Sequence, residues 1–173
     1  IDANGAIDLH ATQTMTLRSE ITSGGGRIRL NTGGDLILET NASIDGETGT
    51  AGVDLTAAGG ITMQDGSVVE GRAGTIRAKA NDDITVSLLR TTGDVLIETT
   101  NGAILDADTD QAKDIIAAAA SLSAGGGIGQ ADNALETQLA GLTANAGGGG
   151  LWLDNMGDLE TLGLVADQTV VLN

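Results

Sequence analysis

Apolar and polar residues alternate in short bursts along the whole chain. In order they read GAIDL (5–9), GRIRL (26–30), GDLIL (34–38), GVDL (52–55), GITM (60–63), GTIRA (74–78), DITV (83–86), GDVLI (93–97) and GAIL (102–105). GLWL (150–153) and GDLETL (157–162) follow, and the chain ends in TVVLN. Alternation over four or five residues marks a half-buried strand. Each burst is bounded by Gly, Asn, Asp or Thr, the residues that end strands in turns.

The bursts are evenly spaced. Strand starts recur from Ile28 through Leu36, Ile44, Val53, Ile61, Val68, Ile76 and Ile84. Three such steps make a repeat of roughly 20–25 residues, the length of a solenoid coil. The phrase GDLILETN (34–41) returns as GDVLIETTN (93–101), which reads as the same structural step on another storey. Two registers fit. One stacks Ile28, Val53 and Ile76; the other stacks Gly34, Gly52, Gly74 and Gly93.

Short strands with tight corners at this period predict an all-β parallel β-helix. Leu, Ile, Val and Ala form inward ladders, and Asp, Arg, Thr, Glu and Lys face out. Seven or eight coils at about 4.8 Å each give a rod roughly 35–40 Å long. Two segments leave the prediction open. DQAKDIIAAAASL (110–122) is rich in helix formers. NALETQLAGL (133–142) sets Leu135, Leu139 and Leu142 at helical spacing behind a capping Asn133. Each reads as a short helix or as a strand. The strand reading puts Leu122 and Ala124 on one face, then Ile128, Leu142 and Ala144.

Composition narrows the core. The chain has no Phe or Tyr, and Trp152 is its one aromatic residue, although 40% of residues are apolar. Stacked small layers suit this supply better than a wide globular interior. With 27 Gly and no Pro, corners fall to Gly, Asn and Asp. There is no Cys, so no disulfide framework and no thiolate metal site. The net charge of −16 repels nucleic acid and anionic lipid headgroups. No apolar run approaches the 18 or so residues of a membrane-spanning helix.

The run from GAILDADTD through GGGGLWLDNMGDLETLG (102–163) resembles repeats of very large bacterial surface and secreted proteins of the filamentous-haemagglutinin and two-partner-secretion group. The first half is similar in a more generic way. The resemblance implies a right-handed parallel β-helix, export to the cell surface or medium, and a role in adhesion, biofilm or fibre building. No amino-terminal secretion domain is recognisable, so residues 1–173 are expected to be a single repeat module, an internal fragment of a longer chain.

Candidate chemistry is sparse. His10 has no second His or Cys for a zinc site, and alternation points it outward. Asp106, Asp108 and Asp110 in DADTD follow the spacing that opens a calcium loop. The helix-loop-helix form then needs Gly at 111 and Glu at 117, where the chain has Gln111 and Ala117. The alternatives are a looser corner site completed by backbone carbonyls and a solvated charged turn. The glycine runs at 24–26, 125–127 and 147–150 lack the Lys-Ser/Thr of a phosphate loop and read as corners. Glycan cleavage needs paired carboxylates at a cleft, and the aromatic platforms common in sugar clefts are missing, so no enzyme is expected. Trp152 is predicted to point outward between inward Leu151 and Leu153. The threonines of TQTMT (12–16) do not recur as the ladder that ice binding requires.

The expected function is that of an extracellular stalk, a stiff acidic rod that supports adhesion. The alternatives are a subunit that stacks end to end through open strand edges, or a calcium- or glycan-binding module. Expected partners are neighbouring repeats or identical subunits, with host or cell-surface ligands held by other domains. Nucleic acid and direct membrane insertion are not expected.

Overall fold

The computed structural model describes residues 1–46 and 49–173. They form a parallel β-solenoid of three sheets. The first sheet stacks β1 (Asp2–Ala3), β4 (Ile21–Ser23), β7 (Ser43–Asp45), β10 (Val68–Arg72), β13 (Leu88–Thr91), β16 (Ile115–Ile116), β18 (Leu135–Gln138), β20 (Leu151–Asn155) and β22 (Val170–Leu172). The second stacks β2 (Ile7–Ala11), β5 (Ile28–Thr32), β8 (Val53–Ala57), β11 (Ile76–Ala80), β14 (Asp94–Thr99), β17 (Ala119–Ala124), β19 (Gly141–Ala146) and β21 (Glu160–Ala166). The third holds β3 (Met15–Leu17), β6 (Leu36–Leu38), β9 (Ile61–Met63), β12 (Ile84–Val86) and β15 (Ile104–Asp106). Isolated bridges carry its line on from Ile104 to Ile128 and Leu151.

Alternation places one residue of every strand pair inside, and parallel pairing stacks like on like. One column runs Ile7, Ile28, Val53, Ile76, Val95, Ala120, Leu142. The next runs Leu9, Leu30, Leu55, Ala78, Ile97, Leu122, Ala144. The first sheet adds Ile21, Ile44, Val69, Leu89 and Ile115, then turns polar at Thr137 and Asn155. There Asn155 Oδ1 accepts from Thr137 Oγ1 and from the Leu139 amide, both at 2.9 Å. The buried polar column end is thereby satisfied.

The register stacking Ile28 on Val53 and Ile76 is the one observed. The repeated phrase does not occupy equivalent positions. Leu36–Leu38 lies in the third sheet, paired with β3 and β9. Val95–Ile97 lies in the second, paired with β11 and β17. The phrase specifies a half-buried strand; the corners decide which side of the coil it occupies.

The helix reading of 110–122 and 133–142 is overturned. No helix occurs among the described residues. Helix propensity is a weak preference that tertiary packing overrides. Ala120, Leu122 and Ala124 turn inward and β17 pairs along its whole length with β14 and β19. In 133–142, Leu135, Leu139 and Leu142 are all buried, but they sit on two strands and the corner between them.

The corners share a device absent from the strand pattern. Ser23, Thr32, Thr91 and Thr99 end strands and are buried. Each hydroxyl accepts the amide of a glycine two or three residues on, at 2.9–3.2 Å: Gly26, Gly34, Gly93 and Gly102. Each also donates to a carbonyl of the coil before it, as Thr91 does to Gly74 (2.6 Å) and Thr99 to Asp82. Backbone groups that a corner takes out of the ladder are thus paired. Gly52 supplies another requirement: its φ is +80°, and a Cβ there would lie 2.2 Å from the Thr75 carbonyl oxygen.

Leu122→Ala is expected to cost about 2–5 kcal/mol in urea unfolding, as buried Leu truncations do. Ser121→Ala, next to it but facing out, is expected to stay within about 0.5 kcal/mol. Thr99→Val, which strands two backbone groups, is expected to cost about 1–3 kcal/mol.

Candidate functional site

The largest departure from regular coiling follows β15. Residues 107–114 run around a corner before β16 resumes the first sheet. DADTD lies here, and its spacing builds a staircase of Asx turns. Asp106 Oδ1 accepts the Asp108 amide at 3.1 Å, Asp108 Oδ1 the Asp110 amide at 2.8 Å, and Asp110 Oδ1 the Ala112 amide. Asp side chains that bond the backbone two residues on make turns of this kind. Asp110 is exposed and Asp108 half-buried. The three carboxylates do not converge as a calcium loop.

Asp106 instead turns its second oxygen inward, toward Asp114 and Glu136. The three side chains offer carboxylate oxygens that all lie within 4.8 Å of one another. Asp114 is 3% exposed and Glu136 4%. Asp114 precedes β16 and Glu136 belongs to β18, one storey on. Their backbones are knit together: the Asp114 amide donates to the Glu136 carbonyl at 2.9 Å, and the Glu136 amide to Asp114 Oδ2 at 2.8 Å. A second loop closes over the corner. Gln130 and Asn133 form an antiparallel bridge, and Asn133 Nδ2 donates to the Asp108 carbonyl at 2.6 Å.

No ion pair among the described residues includes Asp106, Asp114 or Glu136. Burial, reinforced by the Asp106 charge, pushes the Asp114 carboxyl up to about 9. Burial and the same neighbour also raise Glu136, with Lys113 pulling weakly the other way. Buried like charges of this kind are stable only when a proton or a cation neutralises them. With oxygen donors alone, this cluster is the place where a hard metal ion fits.

The other sequence candidates fall elsewhere. His10 is exposed on β2, in register with Asn31. Trp152 lies between the buried Leu151 and Leu153, and its ring folds over Gly150. A Cβ at Gly150 would meet the indole at 2.3 Å. The glycine runs stack at corners, with Gly149 over Gly127 close enough that a Cβ would be 2.6 Å away. On the outer face of the second sheet, Arg27, Arg29 and Arg77 converge on Asp54 at 3.1, 3.4 and 3.6 Å, lining a shallow groove of about 470 Å³. The row His10, Asn31, Thr56, Lys79, Glu98 on that face is mixed, not a threonine ladder.

Asp106 was legible as a candidate; Asp114 and Glu136 were not. DIIA and LETQ carry no metal motif. Only the coil register, which aligns Ile115 with Thr137, makes their preceding acids neighbours. Comparison with protein-family models, with characterised proteins and with solved structures finds no match.

The raised Asp114 carboxyl fixes a sign. Folded, it keeps its proton up to a pH of about 9; unfolded, it loses it near 3.8. Folding therefore takes up a proton between those values, and this group's contribution makes stability fall as pH rises. In chelator, the urea midpoint is expected to be lower at pH 8 than at pH 5, and Asp114→Asn is expected to flatten that slope.

Proposed function

We propose that the chain is a stalk module of a bacterial surface or secreted fibre, non-enzymatic and extracellular, whose work is to hold a binding element away from the cell. The observation that carries this reading is the unbroken stacking of the second sheet through eight strands. Every coil is hydrogen-bonded to the next along the axis, so the rod resists bending and offers a protease little loose chain. The charge of −16 keeps such rods apart and in solution. The resemblance of 102–163 to adhesin repeats supports the setting. Neighbouring repeats are the expected partners.

End-to-end assembly is a second reading, favoured by the last coil. Met156, Leu162, Val165 and Val170 are 46–66% exposed there, and β21 lacks a strand on its far side. A further coil, from a continuing chain or another copy, would cover both. Unpaired strand edges are templates for such pairing.

The test of the stalk is a swap. Within the fibre that carries it, an unrelated solenoid of equal coil number is expected to preserve adhesion, whereas deleting the module shortens the fibre and weakens it. Loss of adhesion on an equal-length swap would show that specific residues matter. In electron micrographs the isolated chain is expected to give rods roughly 35–40 Å long, from eight coils at about 4.8 Å. Fibres that lengthen with concentration would favour end-to-end assembly.

A further inference from the structure

We propose that Asp106, Asp114 and Glu136 bind a calcium ion that staples two successive coils together. The acids alone would not carry this. Two further observations point to a ligand. Asp106 Oδ2 is sealed from solvent, and no amide, hydroxyl or cationic group donates to it; only the neighbouring Asp114 carboxyl, when protonated, is within reach. Glu136, 4% exposed, presents its carboxylate to two other carboxylates and to no paired cation among the described residues. Glu70, the other buried acid among the described residues, meets Arg90, whereas the buried Asp114 and Glu136 form no ion pair.

The donor set selects the ion. Three carboxylates without imidazole or thiolate suit a hard cation and not zinc. Calcium takes six to eight oxygens at about 2.3–2.6 Å, so oxygens on opposite sides of it stand about 4.6–5.2 Å apart. Oxygens within 4.8 Å of one another can therefore touch one such ion together. Magnesium demands a tighter octahedron and keeps several of its waters, for which a site whose Asp114 and Glu136 are 3% and 4% exposed is poorly suited. Carboxylates binding through both oxygens, nearby carbonyls and a water would complete the shell.

The ion's work is mechanical. Asp106 and Asp114 bracket the corner of one coil, and Glu136 lies on the next. One ion would fix the 107–113 excursion, neutralise the cluster and clamp the storeys where the first sheet's column turns from Ile115 to Thr137.

The experiment is calorimetric titration of the chelator-treated 173-residue chain with calcium chloride, with melting curves in calcium and in chelator. One ion per chain and a higher melting temperature are expected. Asp114→Asn and Glu136→Gln are each expected to weaken binding by at least the roughly 10- to 100-fold that losing an outer-shell partner costs a metal site. Both are expected to melt no lower than the parent in chelator, since each keeps the side chain's size while replacing one of three crowded carboxyl groups with a neutral amide; this separates lost ligation from lost folding. Asp110→Asn, in the exposed staircase, is expected to bind normally. Absence of binding to the parent chain would overturn the proposal. So would binding that survives both cluster substitutions but not Asp110→Asn, or an equal response to magnesium at the same concentration.

Discussion

Parallel pairing along the axis is the constraint on which the rest depends. Each strand's hydrogen bonds go to the coils before and after, so no coil is complete alone, and every side chain has its counterpart one turn away as its nearest neighbour. That converts a one-dimensional sequence into columns. An apolar residue is useful because of the residue a coil earlier. A charge is tolerable or costly for the same reason. Coil length drifts from 18 residues (Thr137 to Asn155) to 26 (Leu89 to Ile115), yet the columns hold because most extra residues leave at corners, with register shifts inside strands at Glu70/Arg72 and beside Leu142/Thr143.

Corners therefore carry the specificity. A strand of alternating residues fits any of three sides, and the two near-identical phrases at 34–41 and 93–101 do occupy different sides. What separates them is the bend between strands: buried hydroxyls at Ser23, Thr32, Thr91 and Thr99 that serve both amide and carbonyl, and glycines where backbones of successive coils touch. The 107–114 corner extends the same logic. Its Asp staircase uses carboxylates where other corners use hydroxyls, and so brings acidic groups into the wall of the solenoid. With eight Lys and Arg against 24 acids, cations are too few to answer every acid. All but Lys113 are spent on Glu39, Asp45, Asp54, Glu70 and Glu98, in the first five coils.

The fold was legible because its main signal, alternation at a regular spacing, is local. Ile28, Val53 and Ile76 announced the correct register by being alike. The stretches 110–122 and 133–142 were ambiguous because Ala and Leu satisfy both a helix and a narrow strand core, and only pairing with β14 and β19 decides. Two of the three residues of the candidate site were hidden for a related reason. Asp106 belongs to a visible acidic run, but Asp114 and Glu136 sit in ordinary strand contexts, and their proximity is a product of coil register. The exposed Asp110 attracted attention through spacing alone; its carboxylate is occupied with the Ala112 amide.

The seating of Trp152 has a practical consequence. It is the sole aromatic residue, held against Gly150 on a strand that pairs with both β18 and β22. The molecule thus carries one intrinsic fluorophore, located at the carboxyl-terminal end of the rod. Its emission will report fraying of the last coils while staying blind to the first four. Unfolding that starts at one end and unfolding that occurs all at once can therefore be told apart by comparing that single light signal with a probe of total strand content.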